Sequence, residues 1–263
     1  MKKYLFLPLT AIFLMLAACS GNSAAAPSAA ATPSPTPSAV QTEELADTPE
    51  WGDQTFAQTF SAEDGTAAMT ASYTLPKIKN AQNVPAWQTI NAWYEDKGKA
   101  LLENVQESGS QALDDLNIAR TMKYEFEPYA DEETWKRLDT PSDSIVSILR
   151  THYMSMGGAS PTTFYFAETF DLESGKKLTL DDIFTVPAEK YLKRIHAAIN
   201  KQNNASKTPV EAGGLGDEFN AEYFYLTEDS LVIFYQEGTF GGGMGTLEFA
   251  IPYKDMEDIL TAW

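Results

Sequence analysis

The chain has 263 residues, and its 37 acidic and 19 basic side chains give a formal net charge of −18 at pH 7. This charge argues against a nucleic-acid-binding protein and against attachment to anionic lipid through a basic face, because both interactions depend on Lys and Arg. It suits cations or basic proteins as partners, while 43% hydrophobic and 12% aromatic residues are enough for a packed core and exclude wholesale disorder.

Residues 1–18 have the pattern of a bacterial export signal. Lys2 and Lys3 precede a nearly uninterrupted apolar stretch, which is shorter than the roughly 20 residues of a membrane-spanning helix. Small residues lead to Cys19, and the run from Leu16 to Cys19 resembles the lipobox of bacterial lipoproteins, in which this cysteine carries the lipid. We therefore expect an extracytoplasmic protein, lipid-anchored to the bacterial cell membrane. An ordinary secretory signal with a coincidental cysteine is the alternative.

The segment after the leader, residues 19–50, differs in composition from the rest of the chain. Cys19 is the only cysteine, so an intramolecular disulfide is excluded and no other thiol is available for catalysis or metal binding. Ala, Ser, Thr and Pro dominate without an apolar period, which is typical of a disordered, semi-stiff tether. A proline-rich recognition motif is the alternative. The remaining residues suit one large domain or two small ones.

The first half of the folded part predicts a hairpin, a helix and three strands. Alternating polar and apolar residues between 54 and 73, broken at Glu63-Asp64-Gly65, indicate a hairpin whose second strand ends at Leu75-Pro76. Pro85 opens a helix with apolar residues at helical spacing as far as Val105. The three strands are predicted at residues 122–129, 145–153 and 163–172, with a loop at 157–161 before the last.

The second half predicts another helix, three short strands and a terminal helix. Pro187 opens the first helix, which ends near Asn203-Asn204. The strands are predicted at 222–226, 230–235 and 246–251, with a glycine-rich loop at 241–245 and a helix at 253–260. Because helices do not alternate regularly with strands, we predict an α+β fold of antiparallel sheets with two main helices packed on them. We divide the folded part into two fused modules, residues 51–168 and 169–263.

Residue types suited to catalysis or metal binding are few. The chain has no Gly-x-Ser-x-Gly motif, and His152 and His196 are its only imidazoles, without zinc-ligand spacing. We interpret both histidines as structural or surface residues. The glycine-rich stretches at 213–216 and 241–245 lack the Lys-Ser or Lys-Thr of a phosphate-binding loop. The sequence therefore predicts no catalytic residue, no metal site and no cofactor.

Carboxylates form three clusters, at Asp114-Asp115, Asp131-Glu132-Glu133 and Asp181-Asp182. We place each cluster in a loop or at a helix start, where acids are solvated or favoured by the helix dipole. None has the ligand spacing of a calcium loop. The aromatic triplets at 164–166 and 223–225 are predicted to alternate between core and surface, with sugar stacking as the alternative function.

The second half also carries a family resemblance. The run Tyr153-Met154-Ser155-Met156-Gly157-Gly158-Ala159, followed by FDLESGKKLTLDDIF at 170–184, resembles the extracellular domain of RsiV-type anti-sigma factors, which also accompanies certain peptidoglycan deacetylases. Residues 224–226, 231–235, 241–245 and 251–253 fit the closing segment of that domain. Residues 73–76 and 89–91 resemble the smaller module that usually precedes it, so the resemblance spans residues 55–260.

The resemblance implies an extracytoplasmic α+β domain without catalytic residues of its own. RsiV-type proteins bind lysozyme, a basic protein, and the acidic charge of this chain is compatible with such a partner. Ser160 stands where the family often has His. No sigma-binding segment precedes the leader and no deacetylase domain is present, so we expect neither transmembrane signalling by this chain alone nor deacetylase activity.

We therefore predict a non-enzymatic, envelope-anchored binding module whose partner is lysozyme, another basic wall-active protein or a peptidoglycan fragment. Loops on a rigid sheet commonly carry function, and Met or Phe beside glycine suits an adaptable contact. The candidate residues are Met154, Met156, Gly157 and Gly158 in one loop and Phe240, Gly243 and Met244 in another. Packing at the sheet edge is the structural alternative for them. The alternative functions are a cell-wall hydrolase that uses Asp171, Asp181 or Asp182, and a scaffold for another envelope protein.

Overall fold

A computed structural model describes residues 48–158 and 160–262. The predicted signal peptide, Cys19 and nearly all of the predicted tether lie outside the described residues, as does Ala159. Within the described ranges, no helix is long and apolar enough to cross a membrane.

The larger of two sheets has six strands that lie side by side in chain order. Neighbouring strands are antiparallel except the second and third, which are parallel. The predicted hairpin is confirmed, although its second strand continues to Ile78, past the predicted end at Pro76. The strands are β1 (Trp51–Ser61), β2 (Ala67–Ile78), β3 (Tyr129–Leu138), β4 (Ile145–Ser155), β5 (Thr162–Asp171) and β6 (Lys177–Leu178).

Two helices connect β2 to β3 and pack on the β1–β2 hairpin: α1 (Pro85–Asn104) and α2 (Gln106–Met122). Pro85 occupies the first turn of α1 as predicted, where a missing N–H costs nothing. Gly98 of α1 and Gly109 of α2 face the hairpin, and a Cβ atom on either would lie 2.3 Å from the ring of Phe56 or Phe60. The two glycines therefore let the helices approach the aromatic face of β1.

The predicted strand at residues 122–129 is wrong. Met122 is the last residue of α2, Lys123 ends the helix with a left-handed φ of 60°, and β3 begins only at Tyr129. The alternating aromatic residues between them have other roles, because Tyr124 is exposed and Phe126 stacks on Tyr129. The sequence did not predict α2 because its buried face is made mainly of small residues: Gly109, Ala112, Leu116 and Ala119.

The second half forms a three-stranded sheet covered by a long helix. The predicted helix after Pro187 and the three predicted strands are confirmed. The elements are α3 (Leu180–Ile183), α4 (Ala188–Ala205), α5 (Ala212–Asp217), β7 (Phe224–Leu226), β8 (Ser230–Tyr235) and β9 (Leu247–Pro252). The α+β class is confirmed, with α1, α2 and α4 as long helices.

The predicted C-terminal helix at 253–260 is wrong. A single 3₁₀ turn covers Tyr253–Asp255, and the chain then forms turns. The N–H of Thr185 donates to the carbonyl oxygen of Ile259, and Leu260 forms an isolated β-bridge with Phe184. The C-terminal segment thus pairs with the residues after α3. These hydrogen bonds replace the intrahelical ones that we expected from its sequence.

The apolar core has separate clusters on the two faces of the larger sheet. On one face, α1 contributes Ile90 and Tyr94 to a cluster with Ile148 of β4. On the other face, Leu149 of β4 packs with Phe234 of the smaller sheet. The proposed boundary between residues 168 and 169 falls inside β5; the division into two modules stays a prediction.

Candidate functional site

The first predicted loop forms one wall of an open groove. The opposite wall is the segment between α2 and β3, and the two walls meet because Ala130 pairs with Ser155 in the β3–β4 ladder. The cavity volume is about 780 Å³. We call it the acidic groove, and it is lined by Asp115, residues 124–129, Met156, Gly157 and Gly158.

Hydrogen bonds and close packing fix the groove walls. The Tyr129 hydroxyl donates to Oδ2 of Asp115 at 2.6 Å, and this hydrogen bond raises the pKa of Tyr129 to about 12. The N–H of Gly158 donates to Oε2 of Glu127 at 3.2 Å. Gly157 has a φ of +64°, and a Cβ atom there would lie 2.9 Å from the carbonyl oxygen of Glu127. Glycine is therefore required at 157 for the walls to meet.

The groove combines exposed apolar side chains with carboxylates. Tyr124 is 55% exposed and Met156 is 39% exposed, and both line the groove. The end of α2 that leads into it exposes Met122 at 69%. Glu125 and Glu127 are exposed acids in the wall. Exposed apolar side chains and carboxylates therefore lie side by side in the acidic groove.

The remaining predicted loop residues do not line this groove. Met154 is half-buried at the end of β4, opposite Thr162. Phe240 is half-buried against the core of the smaller sheet, with its ring centroid 5.3 Å from that of Tyr235. Gly243 is exposed, and Met244 is half-buried, with its N–H donating to the carbonyl oxygen of Gly241. The packing role of Phe240 agrees with the structural alternative weighed for this loop.

A buried ionic cluster, which the sequence did not predict, lies under α1. Arg150 of β4 is 1% exposed and forms an ion pair with Glu133 of β3. Its Nη2 and Nε atoms donate to both carboxylate oxygens of Glu168 in β5, at 2.6 and 3.0 Å. The Tyr94 hydroxyl of α1 donates to the same carboxylate at 3.3 Å. The two carboxylates keep the pKa of Arg150 raised although burial alone would lower it.

His152 extends the cluster along β4. Its Nδ1 lies 3.1 Å from Oε2 of Glu133 and its Nε2 lies 3.0 Å from Oδ1 of Asp131, an oxygen with no well-aligned hydrogen bond from a described residue. The ring stacks on Tyr73, with centroids 6.1 Å apart. Burial opposes protonation, but contacts with the carboxylates of Asp131 and Glu133 raise the pKa of His152 to about 9. The histidine is therefore an imidazolium at neutral pH.

The cluster corrects the predicted placement of two acidic runs. Asp131 and Glu133 are buried in β3 instead of solvated in a loop, because strand alternation turns both to the face of the sheet that carries Arg150 and His152. Asp114 and Asp115 lie inside α2 and not at a helix start. Asp182, by contrast, completes a capping box with Thr179 at the start of α3, as expected for a helix-starting acid.

The aspartates considered for the alternative hydrolase function form local hydrogen bonds. Asp171 Oδ1 accepts hydrogen bonds from the N–H groups of Glu173 and Ser174 in the turn after β5. Asp181 accepts a 2.8 Å hydrogen bond from the Tyr191 hydroxyl. His196, the second histidine, packs on Phe219 with centroids 4.8 Å apart. In the described part of the chain, no three His, Cys, Asp or Glu side chains are grouped so as to hold a metal ion.

A known protein family matches a segment in the second half of the chain. Residues 181–254 match the DUF3298 family, described as a protein family of unknown function. The DUF3298 segment begins in α3 and ends just after β9, so it contains α4 and the smaller sheet. The acidic groove lies outside it.

Solved structures of DUF3298 proteins share the fold. A family member from Bacteroides fragilis NCTC 9343 has a TM-score of 0.61 at 16% identity, covering 81% of this chain and 94% of that chain. One from Pseudomonas aeruginosa PAO1 has a TM-score of 0.54 at 19% identity, covering 83% and 97%. A protein named Esterase Rv3036c from Mycobacterium tuberculosis is 23% identical over 128 residues, which are 47% of this chain and 56% of that protein. The match therefore spans little more than half of the relative's length.

Proposed function

We propose that this protein is a non-enzymatic binding module of the cell envelope that recognises a basic wall-active protein, such as lysozyme, or a cell-wall fragment. The observation that supports it most is the acidic groove, where exposed Tyr124 and Met156 stand beside carboxylates on walls held by Tyr129 and Gly157. A preformed wall loses little conformational entropy on binding, and its aromatic and methionine side chains supply adaptable contact area. The carboxylates attract a cationic partner.

The groove is tested by calorimetric titration of the chain without residues 1–19 with lysozyme. Met156→Ser removes exposed apolar area from the groove and is expected to weaken binding about tenfold. Tyr153→Ser is the matched control, because Tyr153 is similarly exposed at 37% but is absent from the groove lining. Equal affinity of both variants and the parent would remove the groove from the proposal.

The anchor is a separate part of the proposal. Cys19 follows an export-type leader. In proteins with a similar lipobox, the cysteine at this position carries the lipid. Several acyl chains hold a protein on a bilayer because each buried methylene contributes about 0.8 kcal/mol. In cells, Cys19→Ser is expected to move the protein from the membrane fraction to the soluble fraction. Unchanged fractionation of the variant would contradict lipid anchoring at this residue.

Ester hydrolysis is the second candidate function, and the observation in its favour is the partial match to the protein named Esterase Rv3036c. A serine esterase needs a neutral histidine beside its nucleophile. His152 instead lies between Asp131 and Glu133 and is protonated at neutral pH. Hydrolysis of p-nitrophenyl butyrate that is abolished by His152→Gln in a folded variant would favour the esterase. Absence of turnover would favour the binding module.

Hydrolysis of the wall by carboxylates is the remaining enzymatic alternative. Asp171 accepts hydrogen bonds from N–H groups of the turn after β5, and Asp181 accepts one from the Tyr191 hydroxyl. Both carboxylates therefore have a structural role. We expect no muropeptide release from purified wall. Release that disappears with Asp181→Asn would overturn this expectation.

A further inference from the structure

A second cavity lies where the end of β5, β6 and the start of α3 face β7. Its volume is about 440 Å³, within the range of small-molecule sites. Its walls are mostly apolar and aromatic: Ala167, Leu178, Leu180, Tyr191 and Phe224. None of its lining residues belongs to the acidic groove. We call it the inter-sheet cavity.

A pair of hydrogen-bonded, buried hydroxyls lies at the wall of this cavity. Thr169 is 1% exposed, and its Oγ1 lies 2.7 Å from Oγ of Ser147, which is itself fully buried. Ser147 Oγ also accepts a 3.0 Å hydrogen bond from the N–H of Leu226. Among the described residues the pair has no other partner, so one of its two hydroxyl hydrogens has no protein acceptor.

The two hydroxyls differ in their position relative to the cavity. Ser147 does not line the cavity, and a free hydrogen on it would be a buried, unsatisfied donor, which costs free energy. Thr169 does line the cavity. Either hydroxyl can donate to the other. Only when Ser147 donates to Thr169 does the remaining hydrogen lie on the residue that lines the cavity, where a bound acceptor can pair with it.

Charged side chains lie at the mouth of the inter-sheet cavity. Asp181 already accepts the hydrogen bond of the Tyr191 hydroxyl, and the Nζ of Lys177 lies 5.5 Å from the ring centroid of Trp93. Glu222 is exposed, and its carboxylate forms no ion pair within the described ranges. An ammonium group at the mouth would pair with this carboxylate.

We propose that the inter-sheet cavity binds a small amphiphile with an aromatic or aliphatic body, a carbonyl oxygen that accepts from Thr169, and an ammonium group that pairs with Glu222. The apolar walls take the body, and the two polar ends fix its direction. The site is independent of the acidic groove and of the partner proposed for it.

Phenylalaninamide is a suitable probe, because it carries an aromatic ring, a carboxamide oxygen and one ammonium group. In a ¹H–¹⁵N NMR titration of the chain without residues 1–19, we expect saturable shifts at Thr169, Leu178, Glu222 and Phe224 at millimolar concentrations. N-acetylphenylalaninamide, which lacks the charge, should bind about three- to tenfold more weakly.

Variants assign the two polar contacts. Thr169→Val and Glu222→Gln should each weaken binding about three- to tenfold, as expected for one lost hydrogen bond or ion pair. Thr169→Ser retains a hydroxyl and should retain binding, and Thr134→Val, which removes an exposed hydroxyl on β3, is the control. If Thr169→Val does not fold, Ala221→Trp, at an exposed position of the mouth, should block the probe. Absence of saturable shifts at the cavity, or unchanged binding by the folded Thr169 and Glu222 variants, would overturn the proposal.

Discussion

Arg150 on β4 and Glu168 on β5 form a bidentate ion pair inside the larger sheet, with Nη2–Oε1 and Nε–Oε2 distances of 2.6 and 3.0 Å. Both side chains are almost completely buried, and Glu133 completes the coordination of the guanidinium. Removing charges from water is costly, so such a cluster persists only when every member is paired. The cluster therefore ties together β3, β4 and β5, the strands that support the acidic groove.

Arg150→Met should destabilise the fold by about 3–5 kcal/mol, because it leaves Glu133 and Glu168 buried without a cation. Urea denaturation followed by circular dichroism measures the change. Arg120→Met is the matched control, since Arg120 pairs with Asp64 at the surface and exposed pairs contribute little. Equal losses for the two variants would contradict the structural importance of the buried cluster.

The free energy of unfolding should depend on pH through His152. Its pKa is raised from 6.5 to about 9 in the folded protein, so folding favours the protonated form. The stability that this histidine contributes is fully present below about pH 6.5 and is lost as the pH rises through about 9. Denaturation midpoints measured from pH 6 to 10 should show this loss. His152→Gln should be less stable at pH 6 and should show a smaller change over the same interval.

Gly98→Ala should destabilise the protein, although alanine is the better helix former. A Cβ atom at 98 would lie 2.3 Å from the Phe56 ring, and overpacking of this kind costs about 1–3 kcal/mol. Gly213 in α5 is the control, because a Cβ there meets no atom within 4 Å. Gly213→Ala should be neutral or stabilising by up to about 1 kcal/mol. Thermal unfolding of both variants tests the close approach of α1 to β1, and a stabilising Gly98→Ala would refute it.

Glu125→Gln should slow the association of a basic partner more than it speeds dissociation, because a charge at the edge of an interface acts mainly by long-range attraction. Stopped-flow or surface-based kinetics with lysozyme at low and near-physiological salt measure the two rates. The difference from the parent protein should shrink as salt rises. Glu132→Gln, an exposed acid outside the groove lining, is the control; identical rate changes for both variants would indicate attraction by overall charge alone.

Much of the fold follows from periodic patterns in the sequence. The β1–β2 hairpin has strand alternation and a turn, and α1 and α4 have large apolar residues at helical spacing, so these elements were predicted. The sequence does not indicate α2, because Gly109 and Ala112 on its buried face add little to an apolar pattern. Glycine is required at 109 by the ring of Phe60, which belongs to a different part of the chain.

The sites depend on contacts that a single sequence does not encode locally. Met156, Gly157 and Gly158 were predicted, but the opposite wall at 124–129 joins them only through the pairing of β3 with β4. The ionic cluster is likewise spread over three strands. The sequence around Glu133 is typical of a solvated acid, and the ion pair with Arg150 is apparent only in the folded chain. Charged residues at alternate positions, such as Arg150 and His152 in an otherwise apolar strand, are the signal that could have indicated the cluster.

Recognition of a lysozyme-like partner is tested most directly by a calorimetric titration of the chain without residues 1–19 with lysozyme at near-physiological salt. Cytochrome c serves as the basic control, because an acidic protein attracts any cation when screening is weak. If the protein recognises a lysozyme-like partner, we expect sub-micromolar binding to lysozyme and none to cytochrome c. Equal binding to both proteins, or no binding to lysozyme, would contradict recognition of a lysozyme-like partner.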